Sequence, residues 1–166
     1  ARRALAWAGE RIGDGPILIA SSATPEEVAA LQSRHGRDAA GHAIEQAMAD
    51  IAEGLVQSGV RRLVVAGGET SGAVVDRLRI PGFLVGAEIA AGVPVLRAVG
   101  ADKGDMLLAL KSGNFGGADF FSDALKLMRW EHVDTARIRA RFLAEARVTA
   151  KLQHPAIVAV HDRGEL

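Results

Sequence analysis

Apolar and polar positions along this chain change period repeatedly, and each change marks an element. Residues 2 to 12 carry helical spacing, and "PILIASS" (16–22) is a short apolar run, expected as a strand, that ends in small polar residues. "TPEEVAALQ" then carries the signals of a helix start: Thr24 as N-cap, Pro25 at the first helical position, Glu26 and Glu27 in the first turn. From Ala39 to Ser58, the residues Ile44, Ala47, Met48, Ile51, Leu55 and Val56 fall on one helical face, and Gly59 follows as the expected C-cap. "RLVVAG" (62–67) has the length and β-branching of a buried strand, and residues 71 to 79 return to helical spacing. "GFLVG", "VPVLRAVG" and "MLLALKSGN" are three more short strands split by Gly, Pro and charged residues. "GGADFFSDALKLM" is helical with Asp119 near its start; a further helix is expected over 135–152, leading into a small strand, "AIVAVH". This alternation predicts an α/β fold, a layered sheet with flanking helices, plus a C-terminal helical tail.

Composition narrows the function classes. At 166 residues the chain holds one domain with a sizeable core. Twenty basic and twenty acidic side chains cancel, which leaves no long-range field to gather nucleic acid or an anionic membrane. The absence of cysteine removes disulfides, thiol catalysis and thiolate metal sites, and is in keeping with a cytoplasmic protein. No apolar run approaches the roughly 20 residues that cross a bilayer. "ARRALAWAGERIGDGP" lacks an initiator Met and has the pattern of a helix rather than a leader, as expected of a cut into a longer chain. His35, His42, His132, His154 and His161 show no paired ligand spacing, so no protein-built metal site is expected. Trp7 is expected as a core or interface anchor. The basic stretch "RLRIPG" is expected as a solvated helix face.

Two glycine-rich stretches carry the candidate chemistry. In the first, an apolar strand ends in Gly67-Gly68-Glu69-Thr70-Ser71-Gly72 before a helical pattern. Glycines there let backbone N–H groups approach an anion, and the helix N-terminus adds roughly half a positive charge. Thr70 and Ser71 offer hydroxyls to a phosphate or to Mg²⁺-bound water. The spacing matches neither G-x-x-x-x-G-K-[ST] nor G-x-G-x-x-G, and a plain turn needing φ > 0 uses glycine equally well. In the second stretch, "LALKSGNFGG" (108–117), another strand ends in Lys111, Ser112, Gly113 and Asn114. Lys111 is a compact charge suited to phosphate, or else a solvated strand end. Two such turns side by side would form one anion site where open α/β sheets bind ligands.

Together "VVAGGETSGAVV", "GAEIAAGVPVLRAVG" and "LALKSGNFGGADFFSDAL" resemble the C-terminal nucleotide-binding domain of the four-carbon acid sugar kinases, over about residues 1–126. That family phosphorylates acids such as threonate, erythronate and 3-oxo-tetronates with ATP. The resemblance implies that Gly67, Gly68, Glu69 and Thr70 line the ATP phosphates and that Gly113 touches the nucleotide. Ser71, Gly72, Lys111, Ser112 and Asn114 are implied neighbours within the same motifs, with Mg²⁺ accompanying ATP. A "PGVP"-like turn of the family here reads Ala91-Gly92-Val93-Pro94. The resemblance also implies a separate N-terminal domain that binds the sugar acid. Without it, this part alone is expected to be inactive, and no catalytic residue is assigned.

Character changes near residue 127, where Trp130, three of the five histidines and denser Arg follow. Residues 124–166 resemble the small lobe of bacterial Ser/Thr protein kinases, with Lys126 in the ATP-pairing position and Glu145 as its helix partner. The expected division is therefore 1–126 as the nucleotide-binding part and 127–166 as a tail. The tail lacks the HRD and DFG segments that phosphoryl transfer needs. The alternative function is a non-catalytic α/β module that forms a homo-oligomer or binds a partner through its C-terminal amphipathic helix.

Overall fold

The computed structural model describes residues 1–100, 106–113 and 115–130. In chain order the elements are α1 (Arg2–Gly9), α2 (Pro25–His35), α3 (Arg37–Gln57), β1 (Arg62–Ala66), α4 (Gly68–Arg77), β2 (Gly82–Ala90), β3 (Val93–Val99), β4 (Leu107–Lys111) and α5 (Phe120–Trp130). The strands form one sheet in the order β1-β4-β3-β2. β1 and β4 run parallel, in register from Arg62 opposite Leu107 to Ala66 opposite Lys111. β3 is antiparallel to both β4 and β2. Hence β1, β4 and β2 all end at the same sheet edge.

Side-chain alternation along β4 divides the core. Met106 and Leu108 are fully buried with Val65, Ala98, Val74 and Leu78, beneath α3 residues Ala49, Ala52 and Val56. Leu107, Ala109 and Lys111 point to the opposite face. There Lys111 lies over the Phe120 ring, and Arg62 donates from Nε to the Met128 carbonyl at 3.0 Å. Phe120, Ala124 and Met128, one turn apart along α5, are buried. Helices thus cover both faces of the sheet, as the pattern predicts.

Local signals explain most boundaries. Thr24 Oγ1 accepts from the Glu27 N–H while Glu27 Oε2 accepts from the Thr24 N–H, a capping box that starts α2. The expected stop at Gly59 closes α3: the Val60 N–H reaches the Leu55 carbonyl and the Gly59 N–H that of Val56.

Several expectations need correction. "PILIASS" is no strand. Ile17 and Ile19 pack on Ala8, Ile51 and Leu55 while Leu18 is 72% exposed. The alternation is real, but the segment has no place in the sheet's strand order and so no ladder. α3 buries two faces rather than one, Ala49, Ala52 and Val56 against the sheet and Ile51 and Leu55 against α1; Ile44, one turn before Met48, is exposed. β1 is an edge strand whose only fully buried residue is Val65. Of the two places expected for Trp7, the core is excluded: it is 41% exposed, with the Arg11 guanidinium 4.7 Å from its ring centroid. Within "RLRIPG", Arg77 pairs with Asp50 and Gln46 of α3 and is not merely solvated. The 127–166 tail beyond α5, including Glu145, lies outside the described residues; Lys126 is exposed and pairs with Asp123 at 3.3 Å.

α4 ends in the same hydrogen-bond pattern as α3, but Arg79 occupies the left-handed position at φ 52°. A side chain there costs roughly 1 kcal/mol relative to glycine in that conformation. Arg79→Gly is therefore expected to raise the unfolding free energy by roughly 0.5–1 kcal/mol in urea denaturation. A fall would show that the Arg79 side chain contributes more than its backbone costs.

Candidate functional site

The sheet's geometry brings the two glycine-rich stretches together. After the last paired residues of β1 and β4, the Gly67 N–H donates to the Lys111 carbonyl at 2.9 Å. Both chains then leave the sheet at the same point. Gly67 has φ +119° and ψ 129°, and a Cβ on it would lie 3.1 Å from Thr70 Oγ1. Conformation and space both require glycine there.

The first stretch is less of a loop than its composition suggests. Only Gly67 turns; Gly68, Glu69, Thr70, Ser71 and Gly72 are already helical. The Ser71 N–H is satisfied by the Gly67 carbonyl, and no side chain caps α4. The N–H groups of Gly68, Glu69 and Thr70 are therefore the open donors of the first turn. Their partial positive charge and the helix dipole favour an anion at this point. Ser71 lies on the buried face of α4 with Val74, and its buried hydroxyl has no hydrogen-bond partner. A buried hydroxyl left unpaired costs about 1–3 kcal/mol.

In the second stretch Lys111 folds back on its own turn. Its ammonium donates to the carbonyls of Ser112 at 3.2 Å and Gly113 at 3.0 Å, and lies 5.7 Å from the Phe120 centroid. The Phe115 N–H closes the turn on the Ser112 carbonyl at 3.2 Å. Ser112 and Gly113 are exposed; Asn114 lies outside the described residues. The Gly67 turn that opens α4 and the Lys111–Gly113 turn thus meet at one edge. Phe115 belongs to the same turn, and its signal in the sequence is an aromatic inside a glycine-rich run.

Among the described residues no three His, Asp or Glu side chains gather as a metal site. A cleft of about 330 Å³ lies at the other end of α4, lined by Gln46, Glu53, Ala73, Asp76, Arg77 and Arg79. Its Arg77 is committed to Asp50 and Gln46, so this polar groove is a poorer anion site than the helix N-terminus.

Residues 1–121 match the family described as "Nucleotide-binding C-terminal domain". The chain is 72% identical over 125 residues to a 3-oxo-tetronate kinase of Methylobacterium radiotolerans, covering 75% of this chain and 29% of that protein. It is 53% identical over 123 residues to a 3-oxo-tetronate kinase of Pseudomonas fluorescens, covering 74% and 28%. A crystal structure of a Haemophilus influenzae protein of the DUF1537 family aligns with TM-score 0.68 and 39% identity, over 76% of this chain and 30% of that one. The chain therefore spans less than a third of the length of these relatives.

The two neighbouring glycines are expected to respond oppositely to a methyl group. Gly67→Ala should lose roughly 1–3 kcal/mol through strain and the contact with Thr70. Gly68→Ala, where nothing lies within 4 Å of a Cβ, should change stability by no more than a gain of about 1 kcal/mol. Thermal unfolding of both variants checks this; equal losses would mean that Gly67 is not specially constrained.

Proposed function

The chain belongs to the nucleotide-binding C-terminal domain family of the four-carbon acid sugar kinases, and on that premise we propose that it is the ATP-binding part of a kinase acting on acids of the 3-oxo-tetronate, threonate or erythronate type. One observation carries the reading. Gly68 and Gly113 have ordinary backbone angles, and a Cβ on either would meet nothing within 4 Å. The fold itself requires glycine at neither position, and in a helix Gly68 costs roughly 0.5–1 kcal/mol against alanine. Bare backbone on both sides of the Gly67–Lys111 junction leaves room for a ligand that lies close against the main chain.

In this reading the phosphates of ATP rest on the N–H groups of Gly68, Glu69 and Thr70. Lys111 exchanges one of its two carbonyl partners, Ser112 or Gly113, for a phosphate oxygen and neutralises charge that grows during transfer. Ser71 supplies a buried hydroxyl near the helix start. The Glu69 carboxylate would repel phosphates unless a cation stood between them. It and the Thr70 hydroxyl are hard oxygen donors suited to Mg²⁺ or its water shell. Bound Mg²⁺ would contribute charge neutralisation on the phosphate chain. A substrate hydroxyl oxygen then bonds to the γ-phosphorus as the bond to the ADP oxygen breaks and the hydroxyl proton departs. We assign recognition of the acid, and the base that takes that proton, to the length of the relatives that this chain does not span. Alone, the chain binds nucleotide without turning over acid. Dependence on ATP places its work in the cytoplasm.

Calorimetric titration with Mg²⁺-ATP tests the reading. Wild type should bind, and Gly68→Val should lose at least about 100-fold in affinity at unchanged melting temperature, because its branched side chain occupies the phosphate position. Lys111→Ala should weaken binding by about 10-fold, the scale of one charge-assisted contact. Lys126→Ala, outside the site, should bind as wild type. Wild-type affinity in Gly68→Val would refute the cradle, and loss confined to Lys126→Ala would move the nucleotide to the tail.

A further inference from the structure

The β2–β3 connection ends at the same edge as the two glycine-rich turns, because β2 runs in the direction of β1 and β4. Gly92 at its tip has φ +75°, and its N–H donates to Glu88 Oε1 at 3.2 Å. A Cβ on Gly92 would stand 3.1 Å from Cε1 and 3.6 Å from Cδ1 of Phe115. The Phe115 ring edge is thus braced by the hairpin backbone across the site edge.

The rest of the turn holds Phe115 from the other side. Phe120, 4% exposed, is the turn's buried anchor, and Gly116 lies directly upon it, at 2.5 Å between a would-be Cβ and Cδ2. Phe115 is 46% exposed. One short turn therefore sends one phenyl ring inward and keeps another in water, and the outward ring is fixed at its edge by a glycine that packing and backbone angle both demand. A rigid aromatic face in solvent loses little freedom when something stacks on it.

Resting on the nucleotide reading above, we propose that Phe115, braced by Gly92, is the stacking platform for the base of the bound nucleotide. The hydrogen bond from Gly67 to Lys111 fixes where the phosphates enter. Closure of the turn by Phe115 on Ser112 keeps the two Cα atoms within about 7 Å, a step that the ribose spans between phosphate and base. A phenyl face accepts any flat base and stacks best with the larger purines, so the platform contributes affinity for a purine nucleotide over bare polyphosphate. Phe121, 42% exposed on α5 and edge-on to Phe120 at 5.9 Å, serves as the control.

The test titrates the full 166-residue chain with ATP and with inorganic tripolyphosphate. Phe115→Ala should lower ATP affinity by about 10- to 100-fold and leave tripolyphosphate within about twofold. Phe115→Trp should keep ATP affinity within about threefold, and Phe121→Ala should change neither ligand. Gly92→Val, which pushes the ring aside, should reproduce the Phe115→Ala pattern. Equal weakening of both ligands by Phe115→Ala would make Phe115 a scaffold for the turn and overturn the platform. Unchanged ATP affinity would overturn it too while the phosphate cradle stands, and a wild-type chain that takes neither ligand overturns both.

Discussion

Parallel pairing of β1 with β4, extended past the sheet by the Gly67 N–H on the Lys111 carbonyl, is the constraint on which the rest depends. Parallel strands cannot be joined by a tight turn, so the intervening chain must cross over. Here α4, β2 and β3 fill that crossing. The pairing makes both chains leave the sheet at one height, where the only residue able to make the first turn is glycine. Without that last hydrogen bond, Gly68 would begin a helix and Lys111 would end a strand with no common boundary between them.

α4 is held so that its N-terminus points at this junction. Val74 and Leu78 are buried against the sheet. At its far end Arg77 binds Asp50 and Gln46 of α3, with Glu53 at 3.7 Å. A half-buried ion pair at the surface contributes little stability alone, but this one joins two helices that already share a core. The dipole of α4 is therefore fixed in direction, and the uncapped N–H groups of its first turn are presented rather than folded away. Open donors, a buried unpaired Ser71 hydroxyl and an unneeded glycine at position 68 are separate small costs at one place, the pattern expected where a site is kept ready for a ligand.

The sequence made the elements legible wherever a single local rule operates. Thr24 and Pro25 announce α2, Gly59 stops α3, and strand–helix alternation gives the layers. What it hid depends on neighbours. Nothing local in "PILIASS" says that the sheet offers no ladder, and nothing in "RLVVA" separates an edge strand from a central one. The GGETSG stretch was visible as an anion motif, yet its division into one turning glycine and five helical residues comes from the hydrogen bond to Lys111, 44 positions away. Likewise nothing local around Phe115 says that the hairpin places Gly92 against it. Composition showed where backbone would be bare, but not which surfaces the bare backbone would bring into contact.

Lys111 shows how such a site answers two demands with one side chain. Its ammonium satisfies the carbonyls of Ser112 and Gly113 and rests on the Phe120 ring, so without an anion it fastens the turn that carries Phe115. Because the ammonium has three donor hydrogens on a flexible stem, it can give up one carbonyl to a phosphate oxygen while keeping another. An arginine, with its rigid planar fork, would have to release the turn to engage the same oxygen. The second turn is therefore held in place without an anion, and in the proposed complex it would remain held after charge is exchanged. In the proposed nucleotide complex, that continuity would keep the Gly67 junction and the Phe115 ring in fixed relation.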